Sequence, residues 1–585
     1  MNIIPSKQMM QAVKFVVGLF PSKFRKNMRS RLWLFNLYSK SLQKSGLFYG
    51  FPSPQKLQKL YVKTIKKQNA DIANKLKHYS VQRRVNGLVM LTGKSKFDKN
   101  SIEALLDNPS ICKVFVSGQT KTVDLMLDEL NLTSDKPVYD LRQIEKEELS
   151  VPLFIIAGGD FIHSQALALM HTYLTNPDES KVLYCDVDHF DKSQVRYRAE
   201  LYPDWNPDLQ LATGYVNTGV MLCGAEIIEH FCQFADQTIS SSVMAIWLVD
   251  IYLKNNSVPI VHIPFSLVHK SLKNPVNWES ELLSLDYPKF ISNNRKNSEV
   301  AQVKWDTSTT PMVSLVIPTK NAKELVKNCI ESIISKTKYD NYEILLVDNN
   351  SDDADALAYF EQLNQNEAKV RVLAYPYDFN YSAINNFAVK HAQGSVVGLV
   401  NNDIEVISAD WLDFMVGHVL REDIGCVGAK LLYPDNRIQH AGVVMGYGGG
   451  AGHAHKYFPR YHPGYLNRLI ASHNFSAVTA ACLLVKKSDY LAVGGLNEID
   501  LTVAFNDVDF CLRVLELGRR NLYCAEAVLY HHESISRGLD DTVEKRARFE
   551  SELVYLQETW HVYIEHDPAY NPNLTLKREN FSLKE

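Results

Sequence analysis

Between Val313 and Val400, short apolar runs alternate with stretches whose apolar residues recur at helical spacing. The strands this predicts are VSLVIPT, YEILLVDNNS, KVRVLAY and SVVGLVNND. The intervening helices are AKELVKNCIESIISKT, DALAYFEQLNQ and SAINNFAVKHA. Alternation of this kind predicts a mostly parallel α/β sheet with helices on both faces. An earlier stretch repeats the theme with GLVMLTG, KVFVSG, PLFIIAGGD and KVLYCDVDHFD. Residues 285–312 are polar and read as a linker. The pattern divides the chain into 1–80, a basic helical arm; 81–300, a first α/β segment; and 301–585, a second.

The strands of the last segment end on polar groups: Pro318-Thr319-Lys320-Asn321, Asp348-Asn349-Asn350 and Asn401-Asn402-Asp403. In open sheets of this class, ligands bind beyond the carboxyl ends of the strands. Rigid strands would thus deliver several oxygens to one crevice. None of these strands is followed by GxGxxG or GxxxxGK[ST], which disfavours dinucleotide and P-loop readings.

Charge changes the picture at one end only. The chain has 585 residues and a formal net charge of −3, yet Met1 to Ala70 holds 14 Lys or Arg and no Asp or Glu, leaving −17 elsewhere. The apolar run Ala12 to Phe20 is much shorter than the ~20 residues of a spanning helix and has no small-residue cleavage site after it. A basic amphipathic arm resting on an anionic membrane is expected, with packing on the next domain as the alternative and no nucleic acid as partner. Nine cysteines are scattered without CxxC or zinc spacing. Buried thiols and a reducing, cytoplasmic compartment follow.

VSLVIPTKN, EILLVDNNSDD, FNYSAINNFAVKHAQGSVVGLVNNDIEV, GGLNE, FNDVDFCLR and LYHHESISRG occur in that order. Together they resemble family 2 of the nucleotide-sugar glycosyltransferases, inverting enzymes of the GT-A, Rossmann-like fold. The likeness is closest to bacterial O-antigen and capsule enzymes of the rhamnosyltransferase type and covers about residues 311–575. It implies two tandem GT-A units, a UDP- or dTDP-sugar donor, a saccharide or lipid-linked glycan acceptor, and work at the inner face of the bacterial plasma membrane. It also implies Mg²⁺ or Mn²⁺, hard cations that take oxygen ligands and substrate phosphates.

Residue by residue, the resemblance implies a nucleotide-sugar pocket of Pro318, Thr319, Asn321, Asp348, Asn350, Asn386, Asn401 and Asn402. A strand-end carboxylate such as Asp348 can accept from a pyrimidine N–H or a ribose hydroxyl, or close an Asx-turn. Asn401-Asn402-Asp403 stands in place of the family's DxD motif, with Asp403 as metal ligand. Asn401 replaces the first carboxylate and brings no charge, so weaker metal binding is expected. His531 is implied as a late metal ligand, with His532 beside it as the rival. Asp507 is implied as general base, at the start of a helix where capping is the plainer role. Thr479, Gly495, Asn506 and Asp509 fall on the acceptor side. The Gly-, His- and Tyr-rich stretch from His440 to Ile470 reads as a mobile loop over the acceptor.

The middle segment echoes the family. LYCDVDHFD resembles the DxD strand, which makes Asp186 and Asp188 a possible second site, and IVHIPFSLVHK resembles the closing His strand. It has no IPxxN opening, no VDxxS strand end and no base before VHIP. That combination fits an inactive unit better than an active one. A nucleotidyltransferase acting on sugar phosphates would want a Gly- and Arg-rich loop after the first strand, and IPTKNAKEL has none. A non-catalytic glycan-assembly scaffold sits poorly with the intact order of carboxylates.

Overall fold

A computed structural model describes residues 54–79, 84–133, 137–174, 179–190, 195–238, 240, 242–254, 258–270, 277–283, 285, 290–292, 299–532 and 542–584. Most of the basic arm, and with it the membrane expectation, lies outside the described residues. Its last part is the helix Pro54–Leu76, which buries Tyr61 and Ile72. No helix among the described residues is long and apolar enough to cross a membrane.

Two mixed sheets organise the chain. The first holds β1 (Val85–Met90), β2 (Ile111–Ser117), β3 (Val138–Asp140), β4 (Leu153–Ala157), β5 (Phe161–Ile162), β6 (Lys181–Phe190), β7 (Arg196–Glu200), β8 (Val220–Cys223) and β9 (Ile260–Lys270). Its order is β3-β2-β1-β4-β8-β6-β9-β5, with β7 flanking β6. A hairpin of β10 (Phe290–Ser292) and β11 (Val303–Trp305) follows. The second sheet is built from β12 (Val313–Thr319), β13 (Tyr342–Asp348), β14 (Val370–Ala374), β15 (Val396–Val400), β16 (Ile404–Val406) and β17 (Ile424–Leu432). Then come β18 (Ile438–His440), the hairpin β19 (Val443–Met445) and β20 (Ala451–His453), β21 (His473–Phe475), β22 (Cys482–Lys486) and β23 (Arg520–His531). Its order is β14-β13-β12-β15-β22-β17-β23-β16.

The two orders are one topology used twice. In both, the first four strands are parallel: β3-β2-β1-β4 and β14-β13-β12-β15. In both, the next strand runs antiparallel to both neighbours: β8 between β4 and β6, β22 between β15 and β17. The last long pair is parallel, β6 with β9 and β17 with β23, and a short antiparallel strand closes the edge. The expectation of two α/β units therefore holds, while "mostly parallel" becomes mixed: parallel on one flank, alternating on the other.

The central strands read as near-continuous apolar runs because helices cover both of their faces. Val396–Val400 is buried throughout, as are Leu315, Ile317, Leu345 and Leu346. Leu88, Phe154, Leu183 and Leu222 do the same in the first unit. The units are clamped together. Buried Arg421 donates to Asp208 across the junction at 2.6 Å, and Asn206 and Asn474 exchange hydrogen bonds beside it. All nine cysteines are unpaired; Cys329, Cys482 and Cys511 are buried as expected, and Cys112 alone is exposed.

Candidate functional site

The topology brings the polar strand ends of the second unit to one edge. Parallel pairing of β12 with β13 sets Thr319 beside Asp348. The Asp348 carboxylate accepts from the backbone N–H of Ser351 at 3.1 Å and from its hydroxyl, which closes the turn. Asn402 donates to Thr319 Oγ1 at 3.0 Å, linking the end of β15 to the end of β12. Antiparallel pairing of β16 with β23 sets Ile404 opposite His531. His531 Nε2 consequently lies 3.2 Å from Asp403 Oδ1, both side chains being nearly buried.

On the far side of β15 the chain of contacts continues. Asn401 Nδ2 lies 3.3 Å from His531 Nε2, and Asn401 Oδ1 accepts from the Tyr381 hydroxyl at 3.2 Å. The Tyr381 hydroxyl also lies 3.3 Å from the Ala480 carbonyl, and the Ala480 N–H donates to Asp507 Oδ2 at 3.0 Å. Asp507 opens the helix Asn506–Glu516, and its other oxygen accepts from Val508 N–H. Burial pushes its proton affinity up, opposed by hydrogen bonds from Ala480, Thr479 and Val508. Asp348, Thr319, Asn402, Asp403, His531, Asn401, Tyr381, Thr479 and Asp507 thus line one continuous polar seam.

Other residues expected at the pocket have different work. Asn321 accepts from the backbone N–H groups of Asp352 and Asp353 and donates to the Asp352 carboxylate at 2.8 Å, knitting the loops after β12 and β13 together. Asn350 adopts a left-handed backbone, φ 55°, and its amide reaches only the Tyr377 carbonyl at 3.5 Å. Pro318 pairs in register with Val347 as the wall beneath. Asn386 departs from its expected role. It donates to Leu496 O and Glu498 and accepts from Tyr490 and Leu496 N–H, so its amide is committed to the Gly494–Gly495 turn. Gly495 has φ +77°, and a Cβ there would stand 2.3 Å from Asn386 Oδ1. Asn506 caps inward on Val503 O at 2.9 Å. Asp509 turns away from the crevice to Arg513 at 2.9 Å and Trp560 Nε1 at 2.9 Å. The stretch His440–Ile470 is packed rather than loose: His455 stacks on Phe581 at 4.2 Å, and Tyr447, Phe458 and Leu469 are buried.

Asp186 and Asp188 require a correction. Strand order makes β4, ending Gly158-Gly159-Asp160, the counterpart of β15. Register agrees, since Phe161 faces His269 as Ile404 faces His531. The counterpart of Asp403 is therefore Asp160, and the strand carrying Asp186 and Asp188 is the counterpart of β17. Both carboxylates are fully buried and saturated by the protein's own donors. Asp186 takes Tyr202 N–H at 2.8 Å, His262 Nε2 at 2.9 Å and Asn571 at 3.0 Å. Asp188 takes Arg196 at 2.6 Å, His269 at 2.7 Å and the Tyr61 hydroxyl. They brace the first unit to the N-terminal helix and the C-terminal tail.

Residues 314–487 match the family model described as Glycosyl transferase family 2. The chain carries a domain of that family. It is similar to the uncharacterised protein y4gI of Sinorhizobium fredii, with 40% identity over 446 residues, 73% of this chain and 49% of that one. It is also similar to the O-antigen biosynthesis protein RfbC of Myxococcus xanthus, with 30% identity over 451 residues, 73% of this chain and 34% of the relative. The chain spans about half, or less, of the length of these curated relatives. Among solved structures it is similar to the mannosyltransferase PcManGT of Pyrobaculum calidifontis in complex with GDP-Man and Mn²⁺, at 15% identity and a TM-score of 0.32 over 42% of this chain and 64% of that one.

In the second unit, two buried side-chain atoms of the seam stand without a partner. Asp403 Oδ1 and His531 Nδ1 are buried without a hydrogen-bond partner among the described residues. Asp403 Oδ1 and His531 Nε2 face each other at 3.2 Å without making a hydrogen bond. No group of three His, Cys, Asp or Glu side chains suited to a metal occurs among the described residues. One carboxylate and one imidazole nevertheless fit a hard divalent ion that draws its remaining ligands from phosphates and water. Between the two histidines the geometry is one-sided: His532 is turned to Glu405 at 3.2 Å. Sequence reading missed Tyr381, the link between the two ends of the seam. Its signal was an aromatic residue directly after the Asn380 cap of the helix Tyr381–His391.

Proposed function

We propose that the chain is an inverting, divalent-cation-dependent glycosyltransferase. It moves a sugar from a UDP- or dTDP-linked donor to a growing bacterial surface polysaccharide or lipid-linked glycan. One observation carries the reading: the unbroken polar seam from Asp348 to Asp507, with the orphaned Asp403 oxygen midway along it. Asp348 and Thr319 would receive the nucleoside, the carboxylate accepting from a base N–H or a ribose hydroxyl. Asp403 and His531 would hold Mg²⁺ or Mn²⁺, which when bound neutralises charge on the diphosphate. Asp507 accepts the proton of the acceptor hydroxyl as its oxygen bonds to the anomeric carbon and the carbon–oxygen bond to the diphosphate breaks. Burial raises the basicity of this carboxylate, which suits a general base. A single base fits single displacement with inversion, whereas retention would want two carboxylates flanking one bond. The O-antigen role in the name of RfbC supports a surface glycan as acceptor. The basic arm would keep the enzyme beside a lipid-linked acceptor at the inner membrane face.

The test is a donor screen. Labelled UDP- and dTDP-sugars are incubated with the chain, with and without Mn²⁺, and release of nucleoside diphosphate is followed. Cation-dependent release from at least one donor is expected. Silence from every donor, or release indifferent to a chelator, would reject the proposal.

A further inference from the structure

The first unit keeps a crevice at the topological place of the second unit's site, but furnishes it differently. A cavity of about 890 Å³ opens at the ends of β1 and β4, against Thr92, Gly158 and Asp160. Pro463–Asn467 and the tail residues Leu574 and Phe581 close its far wall, so both halves of the chain contribute to it. Asp160 is the counterpart of Asp403, yet its Oδ2 is held by the protein itself. It accepts from Thr218 at 2.8 Å. Burial pushes its proton affinity up, and Lys270, one register position beyond the counterpart of His531, lies near enough to oppose that rise.

The features that would hold a nucleotide are missing. β2 ends on Ser117 where β13 ends on Asp348. The second helix after β8 begins Val243-Met244 behind Ser242, where the second helix after β22 begins Asn506-Asp507. Lys270 in the wall is already matched to Glu200 at 3.1 Å, whose other oxygen meets His189 at 2.9 Å, and beside the cavity Arg196 is matched to Asp188. Only Arg198, at the exposed rim, adds positive charge.

What remains is aromatic surface with a few polar handles. Tyr197, Tyr215, Trp278 and Tyr465 line the cavity. Tyr197 and Asn217 line it too, and neither side chain makes a hydrogen bond to another described residue, whereas His189 and Lys270 are bonded to Glu200 and Asp160 to Thr218. A pocket of this size, apolar-walled with sparse convergent donors and acceptors, is the general form of a small-molecule site. Ring faces and uncommitted hydroxyl and amide groups complement a hydroxylated ring, whose C–H face is apolar and whose rim is polar. We infer that this cavity binds a neutral saccharide, using Tyr197 and Asn217, without nucleotide and without a metal ion. The inference rests on the cavity alone and does not require the transfer reaction.

The experiment is saturation-transfer NMR on the full chain in EDTA, with free glucose, N-acetylglucosamine and rhamnose as separate probes and UDP as competitor. At least one sugar is expected to receive saturation, equally in the natural chain and in Asp403→Ala. The titrated affinity should fall about tenfold in Tyr197→Ala/Asn217→Ala, the loss of one hydrogen bond and one stacked face. Asn217→Ala alone, milder on the fold, should lower it several-fold. The inference is overturned by silence from all three sugars, by a signal that survives the variants at unchanged melting temperature, or by displacement with UDP. Failure of the donor screen would sink the transfer reading and leave these spectra as they are.

Discussion

In the second unit, the carboxylate at the end of β15 faces an imidazole and keeps one buried oxygen without a hydrogen bond. In the first unit, the carboxylate at the end of β4 is bonded to Thr218 and lies near the Lys270 ammonium. The histidines diverge in the same way. His531 turns into the crevice toward Asp403, whereas His269 turns sideways to Asp188, a neighbour on its own sheet. Identical strand order and register therefore carry two chemistries. The backbone fixes where a strand-end oxygen stands; the side chains around it decide whether an external cation has anything to bind. A buried carboxylate that is already satisfied braces the fold, and one left short of partners is available for a ligand.

The comparison breaks most visibly at the base. Asp507→Asn should lower the turnover number by about 10²- to 10⁴-fold, the usual range for a positioned general base, with the melting temperature little changed. The first unit offers no carboxylate at the matching helix start, so no residual cation-dependent turnover should come from it. Turnover within about tenfold of the natural chain would move the base elsewhere, or show that the first unit works. Next in size is the cation. Mn²⁺ at about a hundred times its Kd should stabilise the natural chain by about 2.7 kcal/mol, and Asp403→Ala or His531→Ala should abolish that shift. An undiminished shift in both variants would place the cation away from the seam.

The bracing carboxylates make a different prediction. Burial alone would push the His262 imidazole down, but Asp186 at 2.9 Å, helped by Asp204, outweighs it and holds the group up at about 9. A group raised in the folded state stabilises fully below its unfolded value near 6.5 and loses that contribution as pH rises through the folded value. The natural chain should thus lose up to about 3 kcal/mol between about pH 6.5 and 9, read from urea midpoints. In Asp186→Asn the chain should start less stable and that slope should flatten. A slope unchanged by the substitution would mean that the pair does not hold the first unit together.

How much of this was legible depends on whether the signal was local. VSLVIPT was read to the residue, because an apolar run and its polar end are adjacent in the chain. Asp507 fell at a helix start as read, again from neighbours in sequence. The first unit's strand-end carboxylate was not legible. A DxD-like spacing drew attention to Asp186 and Asp188, while Asp160, behind two glycines at the end of PLFIIAGGD, matched no motif. Only its pairing through β5 with β9, about a hundred residues away in the chain, identifies its place. The mixed sheet escaped for a related reason. The direction of β22 relative to β15 is set by a long connection that strand–helix alternation does not encode. Asn386 and Asp509 carried polar side chains in the right motifs, yet turned to Gly495 and to Arg513, choices made by three-dimensional packing.

The smallest effect sharpens the comparison most finely. Consecutive residues of an extended chain point to opposite faces, so of His531, the end of β23, and His532, just after it, only one can face the crevice. His531 Nε2 stands beside Asp403, while His532 Nε2 meets Glu405 at 3.2 Å, both of that pair being about one-third exposed. Such an exposed pair contributes at most about 1 kcal/mol. His532→Ala should therefore keep turnover within about twofold and shift stability by less than about 1 kcal/mol, where His531→Ala removes the Mn²⁺-dependent stabilisation. The reverse result, with His532→Ala losing the cation and His531→Ala keeping it, would mean that β16 and β23 are paired one residue out of register. That slip would also undo the alignment of His531 with His269, and with it the identification of Asp160 as the counterpart of Asp403.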